Sequence, residues 1–375
     1  MKQDHLWVRD ILALGSREML VWGPIFRQVQ EDRDSRASPN HGTICTMAQG
    51  QARQLPQAIA DLAGQVAEAA DRIRQSVTET PVEQIAGLTP GAGVDVIFKL
   101  ENLQQTGSFK LRGASNKILS LTSEQASRGV IAASNGNHGL GVAAAAQRAG
   151  ISAWVYVSSH VSPSKAKRIE DYGAHIQRAG DDPLEAELAG RAAANAQGKV
   201  FISPYNDEQV MAGQGTIAVE LLRQVPPIDA LFVAVGGGGL IGGIGAYMKH
   251  ASPATEVVGC WPENSRVLLE SIKAGHILDV PEQPTLSEST AGGLEPGSVT
   301  LDICARVIDR SVLVSENEIL DAMRKVRALR GWVIEGAAAV AVAAFIKEAQ
   351  HYRGKRAAVV ICGGNVSEKV LAELG

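Results

Sequence analysis

Two features of this sequence carry recognisable chemistry, and they lie far apart in the chain. Lys110 follows Ser108 and Phe109, after an apolar run over 94–100 and a short polar loop, at the start of a helical pattern over 111–119. Gly236, Gly237, Gly238 and Gly239 come directly after an apolar, strand-like run over 230–235. Successive glycines let several backbone N–H groups converge on one anion with no Cβ in the way. A lysine amine condenses with an aldehyde. An amine and a phosphate cup together are therefore the minimum set for holding pyridoxal phosphate.

Other stretches have to be weighed beside these. Gly237-x-Gly239-x-x-Gly242 formally matches a dinucleotide-binding fingerprint, which also needs an acid at the end of the next strand. The run over 257–261 ends in Trp261, with no acid before Glu263. A glycine turn used only for close packing is the plainer alternative. Ser134-Asn135-Gly136-Asn137-His138-Gly139 follows the apolar run 129–133 and opens a helical pattern over 140–149. Amides at a helix start, with hydroxyl and amide side chains alongside, suit a carboxylate. An ordinary helix cap explains the same residues, and His138 alone reads as structural. Cys362-Gly363-Gly364-Asn365 closes an apolar run over 359–361, where Cys362 alone reads as a core cysteine.

These residues need a scaffold, and the periodicity supplies one. Apolar runs at 94–100, 130–133, 153–157, 175–178, 200–202, 230–235, 256–261, 311–314 and 357–362 are separated by helical patterns. Those patterns cover 56–76, 139–149, 164–172, 183–195, 207–224, 240–249, 316–330, 336–349 and 367–374. The alternation predicts an α/β fold, with parallel sheets and helices on both faces. Pro163 and Pro183 stand where first-turn prolines belong.

Composition narrows the function classes. A net charge of −4 without a basic stripe gives nucleic acid no electrostatic footprint. Cys45, Cys260, Cys304 and Cys362 show no CxxC spacing, which argues against structural zinc or disulfides and fits a cytoplasmic setting. The apolar stretch 337–346 falls short of the ~18–20 residues of a membrane span. Residues 1–57 lack the regular pattern and carry a polar, linker-like stretch over 31–40, with no signal-peptide layout. Met47 is an alternative start, and residues 1–46 are expected to be a dispensable extension.

In chain order, several segments resemble one family. They are Lys99-Leu-Glu-Asn-Leu-Gln-Gln-Thr-Gly-Ser-Phe-Lys110-Leu-Arg-Gly-Ala, Ser134-Asn-Gly-Asn-His-Gly139, Ala212-Gly-Gln-Gly-Thr216, the glycines 236–239 and Cys362-Gly-Gly-Asn365. The family is the serine/threonine dehydratase group of fold type II pyridoxal-phosphate enzymes, and the similarity runs from near Ala58 over essentially all the remaining chain. It implies a two-domain fold of the tryptophan synthase β kind and a homodimer. The large cofactor-binding domain would span 58–128 and 207–375, and a small α/β domain would be inserted over 129–206. It further implies β-elimination of water from an L-β-hydroxy-α-amino acid of the threonine or serine type, giving a 2-oxo acid and ammonia.

The resemblance also implies roles. Lys110 holds the cofactor as a Schiff base and later removes the Cα proton. Phe109 packs against the cofactor ring, Asn137 meets its phenolic oxygen, and Gly236, Gly237, Gly238 and Gly239 cradle its phosphate. Cys362 faces the pyridine nitrogen, leaving it unprotonated and favouring elimination over transamination. Ser134, Asn135, Gly136, His138 and Asn206 surround the substrate, while Glu335 and Gly293 lie near the cofactor.

Departures from the family pattern sharpen the expectation. Racemase-type relatives carry a serine at the position of Asn135, and an amide has no usable proton-transfer pKa, so racemisation is not expected. Metal-dependent relatives carry acidic ligands where this chain has Trp261 and Val267, which do not bind a hard cation, so no metal is expected there. The chain ends shortly after Asn365, so feedback inhibition through a C-terminal regulatory domain is not expected either. Segments 260–270 and 287–297 are similar to a branch associated with hydroxyectoine utilisation, whose substrate would be a β-hydroxy derivative of a diamino acid. Trp261 and Glu295 are then candidate specificity elements. From another class, a protein that binds the cofactor without turnover would leave the 134–139 loop unused.

Overall fold

Strand burial explains why the apolar runs are unbroken. β7 (Ala230–Ala234) is buried along its whole length, as a strand covered on both faces must be. The computed structural model describes residues 56–374, so the expectations for residues 1–55 lie outside the described residues. β7 sits inside a six-stranded sheet of order β1-β2-β10-β7-β8-β9. The others are β1 (Val82–Gln84), β2 (Asp95–Lys99), β8 (Glu256–Pro262), β9 (Arg310–Val314) and β10 (Arg356–Val360). All its pairings among the described residues are parallel except β1 with β2. α12 (Gly336–Glu348) is apolar on all sides and buried from Gly336 to Phe345. That composition lets it lie between the sheet and α11 (Glu316–Arg330).

A second, four-stranded sheet of order β5-β4-β3-β6 is parallel throughout. Its strands are β3 (Val130–Ala133), β4 (Ala153–Val157), β5 (His175–Arg178) and β6 (Val200–Phe201). Lys110 opens α2 (Lys110–Leu119), which packs between α4 (Asn137–Ala149) and α7 (Glu208–Gln224). The Ala212-Gly-Gln-Gly-Thr216 motif is the saddle for that helix. A Cβ on Gly213 would lie 2.6 Å from the Gly113 Cα, so α2 and α7 cross at bare backbone. Gln214 Oε1 accepts the Gly113 N–H at 3.0 Å. α2 also sends Leu111, Ala114 and Ile118 into the apolar core of the smaller sheet. The expected domain boundary at 129 gives this helix to the larger body, whereas the smaller core reaches back to Leu111.

Elements missing from the expected pattern are short. β1, α3 (Ser123–Arg128), α9 (Val267–Ala274) and α10 (Thr300–Val307) are at most 8 residues long, too short for a period to emerge. No helix among the described residues is long and apolar enough to cross a membrane.

Candidate active site

The main chain before Lys110 is pinned to the turn after β10. Phe109 N–H donates to the Cys362 carbonyl at 3.0 Å, Gly364 N–H donates to the Gly107 carbonyl at 2.9 Å, and Ser108 bridges to Gly363. Gly107 has φ +75°, and a side chain there would strike Asn365. This locked loop presents Lys110 at the first turn of α2. Its Nζ donates to the Pro204 carbonyl at 2.8 Å and lies 5.2 Å from the centre of the Phe109 ring. Burial lowers the lysine to about 8, partly offset by Glu335.

The glycine run joins β7 to α8 (Gly239–Ala251). A Cβ on Gly237 would lie 2.5 Å from the Tyr205 ring, one on Gly239 2.8 Å from the Tyr205 Cα, and one on Gly236 2.9 Å from the Thr290 backbone. Gly238 has φ +89°, and a Cβ there would lie 2.8 Å from Cys304 and from Leu268. Side chains are excluded at all four positions. Bare N–H groups remain at the head of α8, where the helix dipole favours an anion. Tyr205 follows Pro204, so one short segment touches both Lys110 and the glycine cradle.

The 134–139 loop is more committed than its sequence suggests. Asn135 Nδ2 donates to Ser158 Oγ at 2.8 Å, and its Oδ1 accepts the Ser158 N–H at 2.9 Å. Its side chain is thus occupied within the smaller body. Ser134 Oγ accepts the Gly136 N–H at 3.1 Å. His138 is buried with Nε2 donating to the Ile202 carbonyl at 2.8 Å; burial, with the nearby Lys110 charge, lowers it to about 3, so the ring stays neutral.

Asn137 Nδ2 donates to both Glu335 oxygens at 2.9 and 3.1 Å, and its Oδ1 accepts from Asn365 Nδ2 at 2.7 Å. Glu335 begins α12, where burial pushes its carboxyl up against the opposing hydrogen bonds of Asn137, the Asn365 N–H and Ser289. Burial likewise pushes the Cys362 thiol well up, with Glu335 acting in the same direction, so it is held neutral. Asn206 turns away toward the 291–299 loop, donating to Glu295 at 3.1 Å and accepting the Val299 N–H at 3.0 Å. Gly293 lies in that loop with open space where a Cβ would be. Trp261 is only 1% exposed, its ring lying over Gly259. It is a core residue and not a specificity element at the mouth of the site.

Sequence patterns do not expose the Pro204 carbonyl, Tyr205 or a group of buried charges behind α2. Arg112 pairs with Glu101 through Nε at 2.7 Å and Nη2 at 2.9 Å, and with Glu220 through Nη1 at 2.6 Å and Nη2 at 2.8 Å. Lys99 Nζ donates to Glu220 at 2.6 Å and to the Thr80 carbonyl at 2.7 Å. The available signal is Lys99 and Glu101, two charges at the end of an apolar strand.

Against that geometry, a family model described as pyridoxal-phosphate dependent enzyme matches residues 73–363. The chain belongs to this family. One relative, the L-threonine ammonia-lyase of Thermotoga maritima, is 38% identical over 82% of this chain and 76% of its own. The serine racemase of Oryza sativa subsp. indica is 31% identical over 82% of this chain and 92% of its own. Among solved structures, threonine deaminase isoform 2 of Solanum lycopersicum superposes with TM-score 0.81 at 28% identity, covering 90% of this chain and 97% of its own. Maize serine racemase gives 0.78 at 31% identity, covering 83% and 95%. The expected α/β architecture of fold type II pyridoxal-phosphate enzymes is the one observed.

Proposed function

We propose that this enzyme is a dehydratase that removes water from an L-β-hydroxy-α-amino acid of the threonine or serine type, yielding a 2-oxo acid and ammonia. The observation that carries the reading is the convergence of the Lys110 amine and the glycine cradle on the Pro204–Tyr205 step. These residues fit pyridoxal phosphate. Side-chain-free N–H groups at the head of α8 suit its phosphate, and an amine lowered to about 8 suits its aldehyde. The L-threonine ammonia-lyase and threonine deaminase relatives support the reaction class.

When bound, the cofactor supplies a conjugated sink for the electron pair left at Cα. Lys110 takes the Cα proton and holds it at Nζ, where the Pro204 carbonyl stabilises the ammonium form. Ser134 and the N–H groups at the head of α4 hold the substrate carboxylate. Asn137 would be the partner of the cofactor's phenolic oxygen, its amide oriented by Glu335 and Asn365. Cys362, a neutral thiol, would place no negative charge beside the cofactor's pyridine nitrogen, which would favour elimination. Asn135, engaged with Ser158, offers no second proton-exchange group, so D-serine is not expected as a product.

The test is release of 2-oxo acid and ammonia from L-serine, L-threonine, both 3-hydroxyaspartate diastereomers and β-hydroxy diamino acids, with Lys110→Ala as control. Turnover of serine or threonine, absent in the control, is the expected result. Turnover confined to diamino acids would move the substrate to the hydroxyectoine branch. A yellow protein without product from any of them would favour a non-catalytic cofactor binder. A cytoplasmic homodimer belongs to the same reading through the family resemblance, and a dimer mass in light scattering checks the assembly.

A further inference from the structure

The loop between the turn Glu288–Thr290 and α10 is built around the glycine cradle without belonging to it. Its first stem puts the Thr290 backbone against Gly236, and its second puts Thr300 and Cys304 against Gly238. Gly292 (φ +127°) and Gly297 (φ +72°) give the loop a path that residues with side chains rarely follow. Between them, Glu295 docks on the 203–206 segment. Its Oε1 lies 2.6 Å from Arg191 Nη2 on α6 (Pro183–Gln197) and accepts from Ser203 Oγ at 3.2 Å. Its Oε2 accepts from Asn206 Nδ2 at 3.1 Å, and its own N–H donates to the Tyr205 hydroxyl at 2.9 Å. Arg191 is itself braced, donating from Nε to Glu187 at 2.9 Å and stacking 4.3 Å from the centre of the Phe201 ring.

Glu295 therefore reaches Ser203, Tyr205 and Asn206, and the member of the segment it does not hold is Pro204. The Pro204 carbonyl goes to Lys110 instead, and the Tyr205 ring goes to Gly237. We propose that Glu295 is a positioning residue: docked on Arg191, Ser203 and Asn206, it fixes the 203–206 segment so that Pro204 stays on Lys110 and Tyr205 stays over the glycine cradle. This rests on the reading of Lys110 and the cradle as the pyridoxal-phosphate site. Without the carboxylate, Ser203 and Asn206 lose their acceptor and Arg191 keeps only Glu187. The cover over the cradle is then free to shift.

The measurement is the rate at which holoenzyme loses pyridoxal phosphate on dilution, followed by its visible absorbance. Glu295→Ala should release cofactor roughly tenfold faster than wild type, the size expected for losing charge-assisted hydrogen bonds. Glu295→Gln, which keeps part of the hydrogen bonding, should fall between them. Arg191→Met should also accelerate release, and Arg191→Met combined with Glu295→Ala should release cofactor more slowly than the product of the two single effects, as a direct coupling requires. Unfolding of the apo variants monitors the fold. Release from Glu295→Ala at the wild-type rate overturns the proposal. So does a loss of apoprotein stability in Glu295→Ala large enough to account for the faster release, with no recovery of either in Glu295→Gln. A wild-type protein that takes up no cofactor overturns the underlying function instead, a result distinguishable from both.

Discussion

Behind and in front of Lys110, charges are arranged on opposite principles. Behind it, the Lys99, Glu101 and Arg112 side chains are 0% exposed and Glu220 is 8% exposed, two cations against two anions tying β2, α2 and α7 together. Burial lowers Lys99 and works against the charge on Arg112, yet Glu101 and Glu220 outweigh it and raise Arg112. Glu220 is lowered because Arg112 and Lys99 overcome its desolvation. In front, Arg191 with Glu295 is 33% and 19% exposed, and Lys165 with Glu288 is 40% and 63% exposed. Buried charges cannot be separated without leaving one unpaired, whereas partly exposed ones part at lower cost because water can take a partner's place. The helix that carries the lysine is therefore fixed from the rear, and adjustment is left to the face that meets ligands.

The comparison breaks most visibly at Arg112. Arg112→Met should cost about 3–5 kcal/mol in chemical denaturation of the apoprotein, because two buried carboxylates would share one lysine. A loss under about 1 kcal/mol would mean the rear charges are not a fixed unit. Gly213→Ala pushes α2 and α7 apart at the Gly113 contact and should cost about 1–3 kcal/mol, with slower cofactor uptake if the displacement reaches Lys110.

Much of this site is legible in the sequence, and what is hidden has a common cause. Lys110 and the glycines 236–239 stand out because their residue types are chemically unusual in one short window. The Ala212-Gly-Gln-Gly-Thr216 motif is equally visible, but its purpose as a helix crossing shows only when Gly113 lies against Gly213. The pairing of Lys99 with Glu220 joins segments that no local period connects, and Pro204 acts through an atom every residue possesses. Trp261 misleads in the other direction, since the resemblance of segment 260–270 makes it a candidate specificity element while its ring is buried over Gly259. α9 and α10 are too short to announce themselves, although α10 supplies Thr300 and Cys304 against Gly238.

Two smaller effects sharpen the contrast. Lys110 at about 8 means that cofactor uptake by the apoenzyme should rise with pH as the amine loses its proton, then level off above about pH 8. Stopped-flow absorbance would follow it, and a rate still climbing toward pH 10 would show an ordinary lysine. At the rim, Lys165→Ala should change stability by only about 0–1 kcal/mol in the same denaturation assay, as exposed pairs do.

The acceptor that holds the reactive nitrogen is a main-chain oxygen, and this has a consequence for genetics. Replacing Pro204 with any other residue leaves a carbonyl in the backbone, so an alanine scan passes over this contact without a signal from the contact itself. A survey of tolerated substitutions would rank position 204 by turn geometry alone. Only chemistry that edits the backbone, such as replacing the linkage after residue 204 with one of weaker acceptor strength, would report on this hydrogen bond directly.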